Sequence, residues 1–160
     1  KTKISNIKLP LKRFEFKGKI EGRTIIDDYA HHPKAIKATI KLGRLFLNEQ
    51  NKYKRLIAIF QPHRFSRVSE FFIEFAKELA LADKIILTNI YGAGEKNINN
   101  INSSLISTEI FKLNKNVKTV KDNNEIRKNF NHLTRENDLI INMGAGDCHN
   151  LWQILTSQKY

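Results

Sequence analysis

The sequence predicts an α/β domain of three layers, Rossmann-like, with a mostly parallel sheet of about six strands, one antiparallel edge strand and helices on both faces. Three observations carry that expectation. Short apolar runs such as Leu56-Ile57-Ala58-Ile59-Phe60 alternate along the chain with longer stretches of helical periodicity. Those runs are continuous rather than alternating, as suits parallel strands covered on both faces. The stretch from Arg13 to Ile20, by contrast, alternates apolar and polar side chains, as a half-buried edge strand does.

Residues 1–10 are polar and lysine-rich and read as a linker remnant, so the domain is expected over 11–160. After the strand Arg13 to Ile20, Glu21-Gly22 signals a turn, and Thr24-Ile25-Ile26 is a second strand, hairpin-paired with the first and ending at two aspartates. Pro33 suits the first position of a helix, where its missing N–H would have no partner anyway. Ala35, Ile36, Thr39, Ile40, Leu42, Gly43, Phe46 and Leu47 then form a helical stripe to about Gln50. The central strand Leu56 to Phe60 follows. A second helix is expected from Ser66 to Ala82, with Ser66 or Ser69 capping its first turn. Lys84 to Thr88 is the next strand, and Asn89 to Asn102 a long polar loop. Ser104 to Leu113 reads as helix, Val117 to Val120 as a brief strand, and Asn123 to Leu133 as one helix. Leu139-Ile140-Ile141 is the last buried strand, and a closing helix runs from Cys148 to about Ser157.

With 160 residues, 41% hydrophobic and 28% charged, the chain has the composition of a globular domain able to bury a core. No apolar run reaches the roughly 18–20 residues of a membrane span, and no charged segment followed by an apolar one opens the chain. Cys148 is alone, which excludes an internal disulfide and a cysteine-based metal site. These features lead to the expectation of a cytoplasmic protein without membrane contact. The net charge of +12 suits three situations: a nucleic-acid binder, a binder of small anions, or a lysine-rich host. The lysines are scattered and the aromatics fall on core-facing positions, so nucleic acid is not the expected partner.

In a sheet of this kind, ligands sit outside the carboxyl ends of the strands. Four loops lie there. Asp27-Asp28-Tyr29-Ala30-His31-His32-Pro33 packs two carboxylates and two imidazoles between a strand end and a helix start. An aspartate so placed can accept ribose hydroxyls, and a histidine near a helix start can donate to phosphate or carboxylate oxygens. The plainer alternative is that one Asp and one His cap the helix. Adjacent histidines do not readily chelate one ion, and no third ligand stands at motif spacing, so no metal site is expected. Phe60-Gln61-Pro62-His63-Arg64-Phe65-Ser66-Arg67 puts two arginines at a helix N-terminus, where a cation is unfavourable unless an anion docks against it. Tyr91-Gly92-Ala93-Gly94-Glu95 and Met143-Gly144-Ala145-Gly146-Asp147 are glycine turns with no third glycine at the dinucleotide spacing, and read as tight turns with positive-φ glycines. No G-x-x-x-x-G-K-[ST] loop occurs, so the usual device for holding a triphosphate and Mg²⁺ is not in this sequence.

DDYAHHP, FQPHRFSR, YGAGE and GAGD, in that order and over nearly the whole chain from about Leu11, resemble the third domain of the bacterial Mur ligases. Within the family the likeness is greatest to the branch that joins L-alanine to UDP-N-acetylmuramate, with the murein-tripeptide recycling branch as the alternative. The resemblance implies a three-domain enzyme in which an N-terminal domain binds the UDP-sugar and a central domain holds most of the ATP and Mg²⁺. The third domain, 11–160 here, would close the site and be inactive alone. It further implies that Asp28 and His32 contact ATP. Tyr29, His31, His63, Arg64 and Arg67 would bind the amino acid, and His31, His63 and Arg64 would stabilise charge in the transition state. The chemistry implied is attack of the L-alanine amine on a muramyl acyl phosphate, within peptidoglycan synthesis. Val68 and Phe65 differ from the residues commonest in the family at those places.

Overall fold

The computed structural model describes residues 13–157, so the expected linker over 1–10 lies outside the described residues. The chain forms β1 (Glu15–Ile20), β2 (Arg23–Asp28), α1 (Pro33–Glu49), β3 (Arg55–Phe60), α2 (Phe65–Leu79), β4 (Lys84–Leu87), α3 (Ser104–Leu113), β5 (Val117–Thr119), α4 (Asn123–Lys128), α5 (Phe130–Leu133), β6 (Asp138–Met143) and α6 (Leu151–Thr156). A 3₁₀ turn, Asp147–Asn150, leads into α6.

The six strands form one sheet in the order β1-β2-β6-β3-β4-β5. β1 pairs with β2 antiparallel and every other pair is parallel. The expected hairpin is built as its sequence demands: Glu21 (φ 46°) and Gly22 (φ 77°) both take positive φ, the requirement of the two-residue turn that matches strand twist. Successive apolar side chains of the inner strands enter opposite cores. Ile26, Leu56, Ala58, Phe60, Ile85, Leu87, Leu139 and Ile141 pack with Ile36, Ile40, Val68, Phe75, Leu79, Ile106 and Ile110 of α1, α2 and α3. Ile25, Ile57, Ile59, Ile86 and Ile140 pack with Ile126, Phe130, Leu133 and Leu151 from α4, α5 and α6. Burial on both faces is the physical reason these strands carry no polar alternation.

The connection from β2 through α1 to β3 steps over one strand position. β6 fills that position last, arriving from the other face of the sheet. The tips of β2, β6 and β3 are therefore neighbours, and three loops far apart in sequence converge there.

Several elements differ from expectation. Asp27 and Asp28 lie inside β2, and β6 extends beyond its apolar centre to Asp138 and Met143. The helix expected over 123–133 is broken at Asn129 (φ −108°, ψ 14°), whose side chain donates to the Glu125 carbonyl and competes with the helical bonding there. The closing segment is a 3₁₀ turn followed by helix rather than one helix. α2 starts at Phe65, ends at Leu79 and kinks at Phe71 (φ −121°, ψ 18°). Neither Ser66 nor Ser69 caps it: the N-cap position is Arg64, at φ 70°, and Ser66 instead gives its hydroxyl hydrogen to Glu95.

Candidate functional site

The strand tips are buckled together by side chains without net cation. Asn142, fully buried in β6, donates to Asp27 Oδ1 (2.8 Å) in β2 and to the Cys148 carbonyl (2.9 Å). Gln61, at the end of β3, donates to Asp147 Oδ1 and accepts from the Cys148 N–H (3.1 Å). These bonds pair most of the buried polar atoms of the cluster, and Asn142 Oδ1 alone of the Asn142 and Gln61 amide atoms is left without a partner among the described residues. Burial and the nearby Asp27 carboxylate push the Cys148 thiol up to about 12, so it is a protonated, packed group.

Asp28 is buried as well. Its Oδ2 accepts the Phe14 N–H (2.8 Å), its Oδ1 accepts the Ala30 N–H (2.7 Å), and Arg13 lies 3.9 Å away. Expected as a ribose contact, this carboxylate is engaged inside the chain, where it turns the backbone out of β2. That turn presents Tyr29 and His31 outward.

A row of five rings crosses the tips from β6 to β4. His149 stacks on Tyr29 (5.8 Å between centroids, 9° between planes), and Tyr29 meets His31 edge-on (5.1 Å). His31 meets His63 (5.7 Å), and His63 stacks on Tyr91 (5.6 Å, 17°). The two central imidazoles have opposite hydrogen placements. His31 Nδ1 faces the Tyr29 carbonyl at 2.8 Å, so Nδ1 carries the hydrogen and Nε2 offers a lone pair. His63 Nδ1 accepts from Arg67 Nη1 at 3.3 Å, so its hydrogen is on Nε2. Burial lowers the pKa of both below that of an ordinary histidine. For His31 the Tyr29 carbonyl is the main opposing influence, ahead of the smaller lowering by Arg67, Arg13 and His32. For His63 burial is reinforced by His31, Arg67 and Arg64, with Glu95 opposing last. Both rings are neutral at neutral pH, one an acceptor and one a donor.

Arg64 and Arg67 stand at the first turn of α2. None of the ion pairs formed among the described residues includes either of them. The site thus has two guanidinium groups at the positive end of a helix beside two neutral imidazoles, an arrangement suited to holding a carboxylate by charge-assisted forks.

Of the residues expected from sequence, Tyr29, His31, His63 and Arg67 are brought together, and Arg64 is the helix N-cap beside them. His32 is not in that row: it is the N-cap of α1 without a side-chain cap bond, and its ring packs on Phe71 (5.0 Å) at the kink of α2. Sequence reasoning missed Tyr91, Glu95, His149 and Gln61. The first two belong to a loop weighed only for its glycines. His149 carries no local signal, since only the fold brings it to Tyr29. The glycines themselves divide: Gly94 (φ 86°) and Gly144 (φ 154°) have the positive φ expected, whereas Gly146 has φ −99°.

Residues 12–146 match the family described as Mur ligase, glutamate ligase domain. The chain is 60% identical over 164 residues to a UDP-N-acetylmuramate--L-alanine ligase of Prochlorococcus marinus subsp. pastoris, covering 99% of this chain and 35% of that protein. It is 44% identical to the protein of the same name from Prochlorococcus marinus strain SARG, over 92% of this chain and 33% of that one. The chain therefore spans about a third of the length of these relatives. A crystal structure of the UDP-N-acetylmuramate-alanine ligase of Thermotoga maritima superposes with a TM-score of 0.68 at 27% identity, over 90% of this chain and 29% of that one. A murein peptide ligase of Psychrobacter arcticus shares the fold, with a TM-score of 0.70 at 20% identity, over 94% of this chain and 31% of that one. Motif order, sheet topology and these matches agree, and the chain belongs to the Mur ligase C-terminal domain family.

Proposed function

We propose that this chain is the closing domain of an ATP-dependent ligase that joins L-alanine to the carboxylate of UDP-N-acetylmuramate. The observation that carries the reading is the pair Arg64 and Arg67, without acidic partners among the described residues, beside two neutral histidines of opposite hydrogen placement. An α-amino acid must be held by its carboxylate with its amine free. Arg64 and Arg67 take the carboxylate in this reading, and the Nε2–H of His63 donates to it or to the oxyanion that forms next. The Nε2 lone pair of His31 accepts a hydrogen from the ammonium end. Tyr29 walls the site behind His31. Fixed placement of this kind is worth up to ~7–11 kcal/mol of a bimolecular barrier.

In this reading the muramyl carboxylate takes the γ-phosphoryl group of ATP with release of ADP, and the amine attacks the acyl carbon of the resulting acyl phosphate, so that the C–N bond forms and phosphate leaves. Among the described residues no group of three or more His, Cys, Asp or Glu could hold a metal ion, and the sequence has no phosphate loop. In this reading the triphosphate and Mg²⁺ are held mainly by the central domain of the full-length enzyme, as the family resemblance implies. His32 and Asp28 are the candidates for nucleotide contact, His32 from the start of α1 and Asp28 only by its small exposed fraction. Closure of a separate domain would keep water from the acyl phosphate. No helix among the described residues is long and apolar enough to cross a membrane.

The test is Arg64→Ala in the full-length protein. Loss of one charge-assisted contact of about 1.5–3 kcal/mol raises the KM for L-alanine roughly ten- to a hundredfold, with the KM for ATP little changed. An unaltered KM for L-alanine rejects the assignment.

A further inference from the structure

We infer that Glu95 is a positioning residue for the arginine pair: it caps α2 from a distant loop and so sets Arg64 and Arg67 for an incoming carboxylate. This deepens the reading above and rests on it for the identity of the ligand. The N-terminus of α2 has free amides to satisfy, and its own sequence does not satisfy them. No acidic residue stands in its first turn, and the side chain of Arg64 at the N-cap has no acceptor atom to offer. Glu95 supplies what is missing. Its Oε2 accepts the Ser66 N–H (3.0 Å) and its Oε1 accepts the Ser66 hydroxyl (2.7 Å).

The loop is built to deliver that carboxylate. Tyr91 forms a parallel β-bridge with His63, donating its N–H to the Pro62 carbonyl (2.8 Å) and accepting the Arg64 N–H (2.8 Å). Ala93 (φ 51°) and Gly94 (φ 86°) then reverse the chain, and the Glu95 N–H closes the turn on the Gly92 carbonyl (3.0 Å). Arg64 is thereby anchored before and after. Its φ of 70° is unfavourable for a side chain of that size, and such a conformation persists only where neighbours over-determine it.

The electrostatics also favour this role. Hydrogen bonds from Ser66, and after them the Arg64 charge, lower the Glu95 pKa, so the cap is ionised at neutral pH. It offsets the helix dipole that two arginines would otherwise oppose. Yet it does so through Ser66, outside ion-pair distance of either guanidinium, and both remain available.

The test uses Glu95→Ala and Glu95→Gln in the full-length protein. Glu95→Ala raises the KM for L-alanine about tenfold while the KM values for ATP and UDP-N-acetylmuramate stay within about twofold. Glu95→Gln keeps one acceptor oxygen without the charge, and restores part of the loss. In parallel, hydrogen exchange of residues 63–69 speeds up in Glu95→Ala while β3 and β6 keep their protection. An unchanged KM for L-alanine in Glu95→Ala overturns the proposal, as does a common rise in all three KM values. If the wild-type protein does not consume L-alanine, the ligase reading itself fails. The exchange measurement then decides: faster exchange confined to 63–69 supports Glu95 as the cap, and unchanged exchange rejects it.

Discussion

Gly146 shows why residue identity at this site is a matter of space as much as conformation. Its φ of −99° lies outside the left-handed region, so a need for positive φ does not explain it. A Cβ there would stand 2.6 Å from Tyr91 Cγ and 2.6 Å from Gln61 Oε1. Gly146 thus leaves the room in which Tyr91 lies flat on His63. We expect Gly146→Ala to push Tyr91 aside and open His63 to water. Desolvation is the largest cause of the lowered His63 pKa, so its titration moves up toward 6.5 while His31, shielded by Tyr29, stays where it is. An NMR titration of the histidine rings reads both, and a His63 midpoint unchanged from wild type contradicts the account. The four loops of the site were legible in the sequence because titratable residues and glycines are concentrated there. The reason for Gly146 was not, since a glycine needed for space and one needed for positive φ look alike in a sequence.

At the scale of elements, the inner strands were legible because burial on two faces removes polar alternation, and isoleucine runs leave no competing assignment. The kink at Phe71 and the break at Asn129 were not, because the apolar periodicity runs on through both. The ends of β3 and β6 hold another feature hidden from periodicity. Arg55 and Asp138 are register partners, joined by two bonds of 2.8 and 2.7 Å, and Asp138 is fully buried. Asp138 also accepts the Arg135 N–H (2.7 Å), so it fixes the entry to β6, the strand that arrives last. Removing the arginine leaves a buried carboxylate without its counter-charge. Arg55→Ala should lower unfolding stability by about 3 kcal/mol, more than an exposed pair would. Urea denaturation of this chain measures it, and a loss below about 1 kcal/mol would place the pair among ordinary surface contacts.

For the whole molecule, the row of rings was the least legible feature, because it depends on topology alone. Tyr29, His63, Tyr91 and His149 meet only because β6 slots between β2 and β3. The same burial that aligns these groups makes stability depend on pH. His31 and His63 have folded pKa values below 6.5, so the unfolded chain binds more protons as pH falls through 6.5, and stability falls with it. Asp83 and Glu95 have folded values below 3.8 and 4.5, so their contribution is present above those values and is lost as pH falls further. Protonating carboxylates also adds to a net charge already at +12. On the alkaline side Cys148 acts in the opposite sense: its unfolded value is 9.0 and its folded value about 12, so its contribution is whole below 9.0 and drains away as pH rises toward 12. Lys84, lowered from 10.5, works against that decline. The urea midpoint should therefore climb from pH 4 to about 7, hold to about 9, and fall beyond it. Cys148→Ala removes the thiol and should flatten the alkaline fall while leaving the acid limb in place. An alkaline limb equally steep in that variant would show that some other group drives it.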